Sequence, residues 1–180
     1  MFNIESRRYV GNKFKLSSWL RECILSNCYN LESLFDVFAG TGVVTAALLD
    51  LFDTFHINDF LYSNEIVYNG FFLNQDYRAD ILEKEKLLFL SLDAQKLDDN
   101  YVSQHYGNNF FSYDDAKKIG YIRERIAYLW QKGSISFKEY AILLTSLLYS
   151  LDRAANTVGH YDAFIKGKKI ASCFNFDLIL

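Results

Sequence analysis

Three stretches near the amino terminus carry side chains that could do chemistry. The first is Asp36-Val37-Phe38-Ala39-Gly40-Thr41-Gly42, which follows an apolar run and opens a helical one. A tight glycine turn at the carboxyl end of a first strand is where α/β folds bind nucleotide-like ligands. Gly40 and Gly42 let the backbone pass close to such a ligand, where a side chain would intrude. The loop alone is not specific. Gly40-Thr41-Gly42-Val43-Val44-Thr45 lacks the third glycine of a dinucleotide fingerprint and the Lys-Ser/Thr of a phosphate loop, so a plain structural turn accounts for it equally well. The second feature is Asp59, 17 residues after Gly42 and just past His56-Ile57-Asn58. An acid there can accept hydrogen bonds from a ribose diol or cap a helix starting near Leu61. The third is Arg7-Arg8-Tyr9-Val10-Gly11-Asn12-Lys13. Its ring and ammonium could pack on a ligand and meet a carboxylate; a solvated basic loop is the plain alternative.

These residues need elements to hold them. Leu34–Phe38 and Phe55–Ile57 read as short strands, with a helix over Val43–Phe52 between them and another over Leu61–Leu73. Strand, turn, helix and strand in that order make a βαβ unit and imply a parallel sheet. Leu16–Cys28 has helical apolar spacing. Beyond Ala79 the character changes: Ile81–Leu97 reads as mostly helix and Tyr101–Ser112 as a polar, aromatic loop. Ser112 or Asp114 can then cap a helix with Ile119, Ile122, Ile126 and Leu129 on one face, closed by Gly133. Ser136-Phe137-Lys138-Glu139 is a capping box for a further helix carrying Tyr140, Leu143, Leu144, Leu147, Leu148 and Leu151. Phe174–Leu180 looks like the start of another strand.

Bulk composition narrows the classes. With 51% hydrophobic residues in 180, the chain is globular. A net charge of −3 excludes a uniformly basic coat but leaves room for local basic patches. Cys23, Cys28 and Cys173 have no zinc spacing, so no metal site is expected; an odd count without a signal peptide suggests reduced thiols in a cytoplasm. No apolar run reaches membrane-spanning length. There is no proline, where about nine would be ordinary for this length.

In this order and spacing, the three stretches resemble the D12 class of adenine-N6 DNA methyltransferases, which includes the Dam-type enzymes. They are most similar to the type II restriction-modification subgroup that recognises short sites such as CATG. The resemblance implies an α/β fold: an incomplete Rossmann-like sheet of the S-adenosylmethionine-dependent methyltransferase type with a helical target-recognition insertion. It implies that residues 1–78 bind S-adenosylmethionine, that 79–170 form the insertion, and that 171–180 begin a catalytic half. Cofactor contacts carried over by motif are Tyr9, Gly11, Lys13, Asp36, Phe38, Gly40, Gly42 and Asp59. Asp36 would sit near the ammonium and sulfonium, and Lys13 would pair with the carboxylate. Ala155-Asn156-Thr157-Val158-Gly159-His160-Tyr161-Asp162-Ala163-Phe164 also resembles a stretch typical of that subgroup.

The family methylates adenine N6 with a D/N-P-P-Y motif whose Tyr stacks on the flipped base. A chain without proline has no such motif, so no catalytic residue is assigned, and Asn108-Asn109-Phe110-Phe111 is no substitute. The expectation is therefore the front part of a DNA methyltransferase, acting on duplex DNA in a cytoplasm, inactive alone, with a complementing catalytic half as a candidate partner. Exposed apolar edges at Phe174–Leu180 would favour aggregation or a partner. Asn156, His160, Lys166, Lys168 and Lys169 are the DNA-contact candidates, with Lys117, Lys118, Arg123, Arg125 and Arg153 as further basic residues that could track phosphates or simply face solvent. The rival readings are a non-catalytic module binding S-adenosylmethionine or DNA, half of a split enzyme, and a nucleotide-binding oxidoreductase fragment.

Overall fold

The structure, a computed structural model, describes residues 13–167 and 169–180 together with Ile4 and Gly11. After a 3₁₀ turn at Phe14–Leu16, helix α1 runs over Ser17–Asn27. Strand β1 (Ser33–Asp36), helix α2 (Val43–Leu48) and strand β2 (Thr54–Ile57) then form the expected βαβ unit. The strands are parallel, in register from Ser33 opposite Thr54 to Asp36 opposite Ile57. They make a two-stranded sheet. Arg21 of α1 ties the unit together by donating to both carboxylate oxygens of Asp50, each at 2.6 Å, and to the Ala47 carbonyl.

The rest is helical: α3 (Tyr62–Phe72), α4 (Ala79–Leu90), α5 (Tyr101–Tyr106), α6 (Tyr113–Gln131) and α7 (Phe137–Ala154). The Ile119, Ile122, Ile126 and Leu129 stripe of α6 is buried, as its spacing predicts. Ser112 caps α6 by accepting from the Asp115 amide. At the other end Gly133, with φ +65°, closes a Schellman motif: its amide reaches the Trp130 carbonyl and that of Ser134 reaches Leu129. The Ser136/Glu139 capping box of α7 is formed in both directions.

α7 is buried on more than the predicted stripe. Ala141, Ile142, Leu143, Thr145, Ser146 and Tyr149 are all buried, while Leu144 and Leu148 are only half-covered. The small residues explain the rest. α3 crosses α7 where Gly70 meets Ala141 and Thr145; a Cβ at Gly70 would stand 2.5 Å from Thr145 Oγ1. Thr145 donates to the Ile66 carbonyl, and the buried Lys138 ammonium donates to the carbonyls of Asn69 and Gly70 at the end of α3.

Two segments differ from expectation. Tyr101–Tyr106 is a helix, not loop, because Asn100 and Ser103 form a reciprocal capping box at its start. Its aromatic, polar composition conceals that signal, since the box uses Asn and Ser in place of the commoner Glu. Phe174–Leu180 is irregular and pairs with no strand among the described residues. Its Asp177 and Ile179 amides donate to the hydroxyls of Ser150 and Ser146 on α7. Nor is it an exposed edge: Phe176, Leu178 and Ile179 are buried, with Phe176 edge-on to Phe89. Buried Asp115 accepts from the Cys173 and Phe174 amides and the Ser172 hydroxyl, fixing where the segment enters.

Candidate functional site

The loops that leave the carboxyl ends of β1 and β2 lie side by side. The ladder continues past the strands, Asn58 N–H donating to Asp36 O and Ala39 N–H to Asn58 O. Gly40 (φ +58°) and Gly42 (φ +81°) take left-handed conformations that let the chain turn sharply into α2. At Gly42 the space is also closed: a Cβ would lie 3.1–3.2 Å from Ile4, Phe72 and Tyr68. The turn is pinned from two sides. Gly40 N–H donates to Asp59 Oδ2 at 2.8 Å, and the Tyr68 hydroxyl donates to Gly40 O at 2.6 Å. Lys13, the described end of the basic stretch, donates to Phe38 O at 3.3 Å. The Thr41 hydroxyl is buried in this turn and has no hydrogen-bond partner among the described residues.

Asp59 does more than either sequence reading allows. Its Oδ1 accepts from the Leu61 amide and the Asn64 side chain while Oδ2 holds Gly40. Burial pushes its carboxyl up, but the bonds from Leu61, Gly40 and Asn64 outweigh this and leave it below the usual carboxylate range. Asp59 is thus an ionised knot joining the two loops.

Asp36 behaves oppositely. Burial pushes its carboxyl above the ordinary value; the Thr45 hydroxyl at 3.0 Å and the Lys13 charge pull it back, and the Asp59 charge pushes it further up. A half-buried carboxylate beside a second one, with no salt-bridge partner among the described residues, makes a local negative field that favours a cationic group. Around it, Phe38 and Phe60 are 78% and 98% exposed.

The structure therefore brings together Lys13, Asp36, Phe38, Gly40, Gly42 and Asp59. Gly11 (φ +84°) is exposed; Tyr9 lies outside the described residues, as does Lys168. Sequence reading missed Thr45, Asn64 and Tyr68. A signal existed: Asn64 and Tyr68 are polar groups one helical turn apart, beside apolar Ile66 and Val67 and buried like them.

The second candidate surface is the turn after α7. Asn156 is buried, and its amide donates to the carbonyls of Asn109 and Ile165, so its visible work is holding the 157–164 loop against the 107–111 turn. Thr157 bridges Phe164 antiparallel. His160 Nδ1 stands 3.2 Å from an Asp162 oxygen. Lys166 and Lys169 are exposed at the base of this loop. Arg125, by contrast, is committed to buried Glu85 at 2.8 and 3.0 Å, and Lys117 to Asp99 and the Leu97 carbonyl. Among the described residues no cluster of His, Cys, Asp and Glu could hold a metal, and no helix is long and apolar enough to cross a membrane.

A parallel βαβ unit with paired acids at its loop ends, built against a helical body, is the kind of arrangement at which α/β folds bind nucleotide-like ligands. The comparison with known families is more specific. The model of the D12 class N6 adenine-specific DNA methyltransferases matches residues 9–176, and the chain belongs to that family. It is similar to type II methyltransferase M.NlaIII of Neisseria lactamica (33% identity over 89% of this chain and 50% of that protein). It is also similar to modification methylase LlaI of Lactococcus lactis subsp. lactis (30% identity; 88% of this chain, 27% of that protein), and to type II methyltransferase M.CviAII of Paramecium bursaria Chlorella virus 1 (30%; 88% and 49%). The chain spans about half or less of the length of these curated relatives. No solved structure matches it.

Proposed function

We propose that residues 1–78 form the S-adenosylmethionine-binding part of a type II restriction-modification DNA methyltransferase that acts on N6 of adenine in duplex DNA. The observation that carries the reading is the pair Asp36 and Asp59, held at the carboxyl ends of parallel strands on either side of a left-handed glycine turn. The donor set fits the cofactor. Asp36 faces the need of a sulfonium and an ammonium for a negative neighbour. Lys13 supplies a cation for the carboxylate. Asp59 places an ionised carboxylate at the loop pair for the ribose hydroxyls, and exposed Phe38 and Phe60 offer apolar surface. Tyr9 and Gly11 complete the set by family motif. When bound, S-adenosylmethionine supplies the electrophilic methyl group; the residues of this chain bind and orient it.

On this reading 79–170 is the target-recognition region, 171–180 leads toward a catalytic half, and the 180 residues alone hold a donor without using it. His160, Lys166, Lys168 and Lys169 contact DNA, while Asn156 positions their loop. The bare sheet favours completion by further chain or a complementing half: no residue of β1 or β2 is buried, whereas parallel strands are normally covered on both faces. The same arrangement serves equally for one half of a split enzyme.

Isothermal titration tests the reading. S-adenosylmethionine should bind with micromolar affinity and NAD should not, and Asp36→Ala should weaken binding at least tenfold. Tight NAD binding, or indifference to Asp36→Ala, would overturn it. Adenine methylation by the isolated chain would overturn its inactivity.

A further inference from the structure

Of the arginines, Arg21, Arg78 and Arg125 each hold a carboxylate with two nitrogens. Arg123, exposed on α6 two residues from Arg125, makes no ion pair or hydrogen bond among the described residues. It stands where two hollows of about 270 and 400 Å³ adjoin, and both are lined by Arg123, Leu144 and Leu148. Together they form a seam between α6 and α7. One end reaches Tyr62 at the start of α3, three residues past Asp59; the other reaches Tyr161 in the loop after α7. This accounts for why Leu144 and Leu148 are left half-covered.

We infer that this seam is a track for one strand of the DNA backbone, with Arg123 as its phosphate contact; the inference rests on the reading of the chain as a DNA methyltransferase. The seam connects the loop pair proposed to hold the methyl donor with the surface proposed to meet DNA, so a duplex engaging both crosses it. From Tyr140 to Leu151 the α7 side is about 16 Å long at ~1.5 Å per residue, roughly five nucleotides at ~3.4 Å each. That suits a short site. A planar guanidinium binds a phosphate through two hydrogen bonds. Tyrosine hydroxyls are common donors to the backbone, and Tyr62 and Tyr140 line the seam, whereas the Tyr161 hydroxyl is committed to Asp152; the leucine floor fits the apolar faces of deoxyribose. An amphipathic helix of a partner protein could use the same floor, but it would leave the link to the two ends unexplained.

The test uses the full 180-residue protein, a fluorescein-labelled 20-base-pair duplex in anisotropy titrations over a potassium chloride series, and calorimetry with S-adenosylmethionine in parallel. Arg123→Gln should weaken duplex binding roughly tenfold, as expected for losing a charge-assisted hydrogen bond. It should also lower the slope of log K against log salt by about 0.9, the value for one phosphate. Arg123→Lys should keep most of that slope. S-adenosylmethionine affinity should not change in either variant. Unchanged duplex affinity and slope in a folded Arg123→Gln protein would overturn the track and assign the seam to a polypeptide. Wild-type protein that binds S-adenosylmethionine but no duplex would overturn it too. Duplex binding that depends on Arg123 without any S-adenosylmethionine binding would instead sink the cofactor assignment and leave the track standing.

Discussion

The βαβ unit and the helical body are held together by different forces. In the body, the fully buried Val67, Leu82, Ile122, Ile126, Ile142 and Leu143 meet in one cluster, and the buried acids Glu85, Asp115 and Glu139 are each satisfied. In the βαβ unit the strands bury nothing completely, and Phe35, Phe38 and Phe60 stand exposed. α2 does bury Val43 and Leu48, but the loops take their shape from hydrogen bonds: Gly40 to Asp59, Tyr68 to Gly40, Ala39 to Asn58. The body supplies stability and presents α3, whose Asn64 and Tyr68 reach across to fix the loops. The unit supplies the acids. Substitutions in the body should therefore move stability and spare ligand binding, and substitutions in the loops should do the reverse.

The largest expected effect is Leu143→Ala, in a side chain with no exposure. Removing it should cost about 3–4 kcal/mol in urea unfolding while S-adenosylmethionine affinity, measured where the variant is folded, stays within about twofold. Coupled loss of affinity would show that the two regions are not separable.

Glu139→Ala should cost about 3 kcal/mol, since it strips Arg78 and the α7 cap of their shared partner. The Arg78 guanidinium, countered by burial and aided by the Ser136 and Arg78 amides, holds the Glu139 carboxyl at about 2. A depressed carboxylate stabilises the fold fully above its unfolded value, near 4.5. That contribution fades as pH falls through about 2. Unfolding free energy of the wild type should thus decline from pH 4.5 downward more steeply than that of Glu139→Ala. Parallel curves would remove the pair from the account. A third variant, Gly70→Ala, should cost about 1–3 kcal/mol, because its methyl meets Thr145 and the Ala141 backbone at the α3–α7 crossing.

These contrasts track what could be read from sequence. The α6 stripe, the Gly133 stop and the Ser136/Glu139 box were legible because each depends on residues close in the chain. So was the βαβ order, and with it the placement of Asp36, Gly40, Gly42 and Asp59 on adjoining loops. Apart from one local feature, what escaped depends on long-range pairing. The Asn100 box hid in a polar stretch. The serines at 146 and 150 look neutral until Phe174–Leu180 lies against them. Asp59 could be assigned to ribose or to a helix cap, but its bond to Gly40 crosses 19 residues, and no local pattern announces it.

Gly42→Ala sharpens the comparison from the loop side. At φ +81° a Cβ costs about 1–2 kcal/mol, a modest loss. Yet the new methyl sits 3.2 Å from the Tyr68 ring, whose hydroxyl anchors Gly40, so S-adenosylmethionine binding should fall more than tenfold. Retained affinity would mean that the ligand does not rest on this turn.

The smallest effect on stability, and the sharpest on function, belongs to Asp36→Asn. Burial lifts the Asp36 carboxyl, so its ionised form is disfavoured in the fold; a neutral amide should leave stability at pH 7 unchanged or raise it by less than ~1 kcal/mol. A cation bound nearby favours the ionised form. Binding in acid should therefore release a proton, and S-adenosylmethionine affinity should drop as pH falls through the elevated Asp36 value. In Asp36→Asn the affinity should be at least tenfold weaker at pH 7 and lack this acid decline. If the decline persists in the variant, the titrating group is elsewhere, and the negative field at the loop pair is not what selects the ligand.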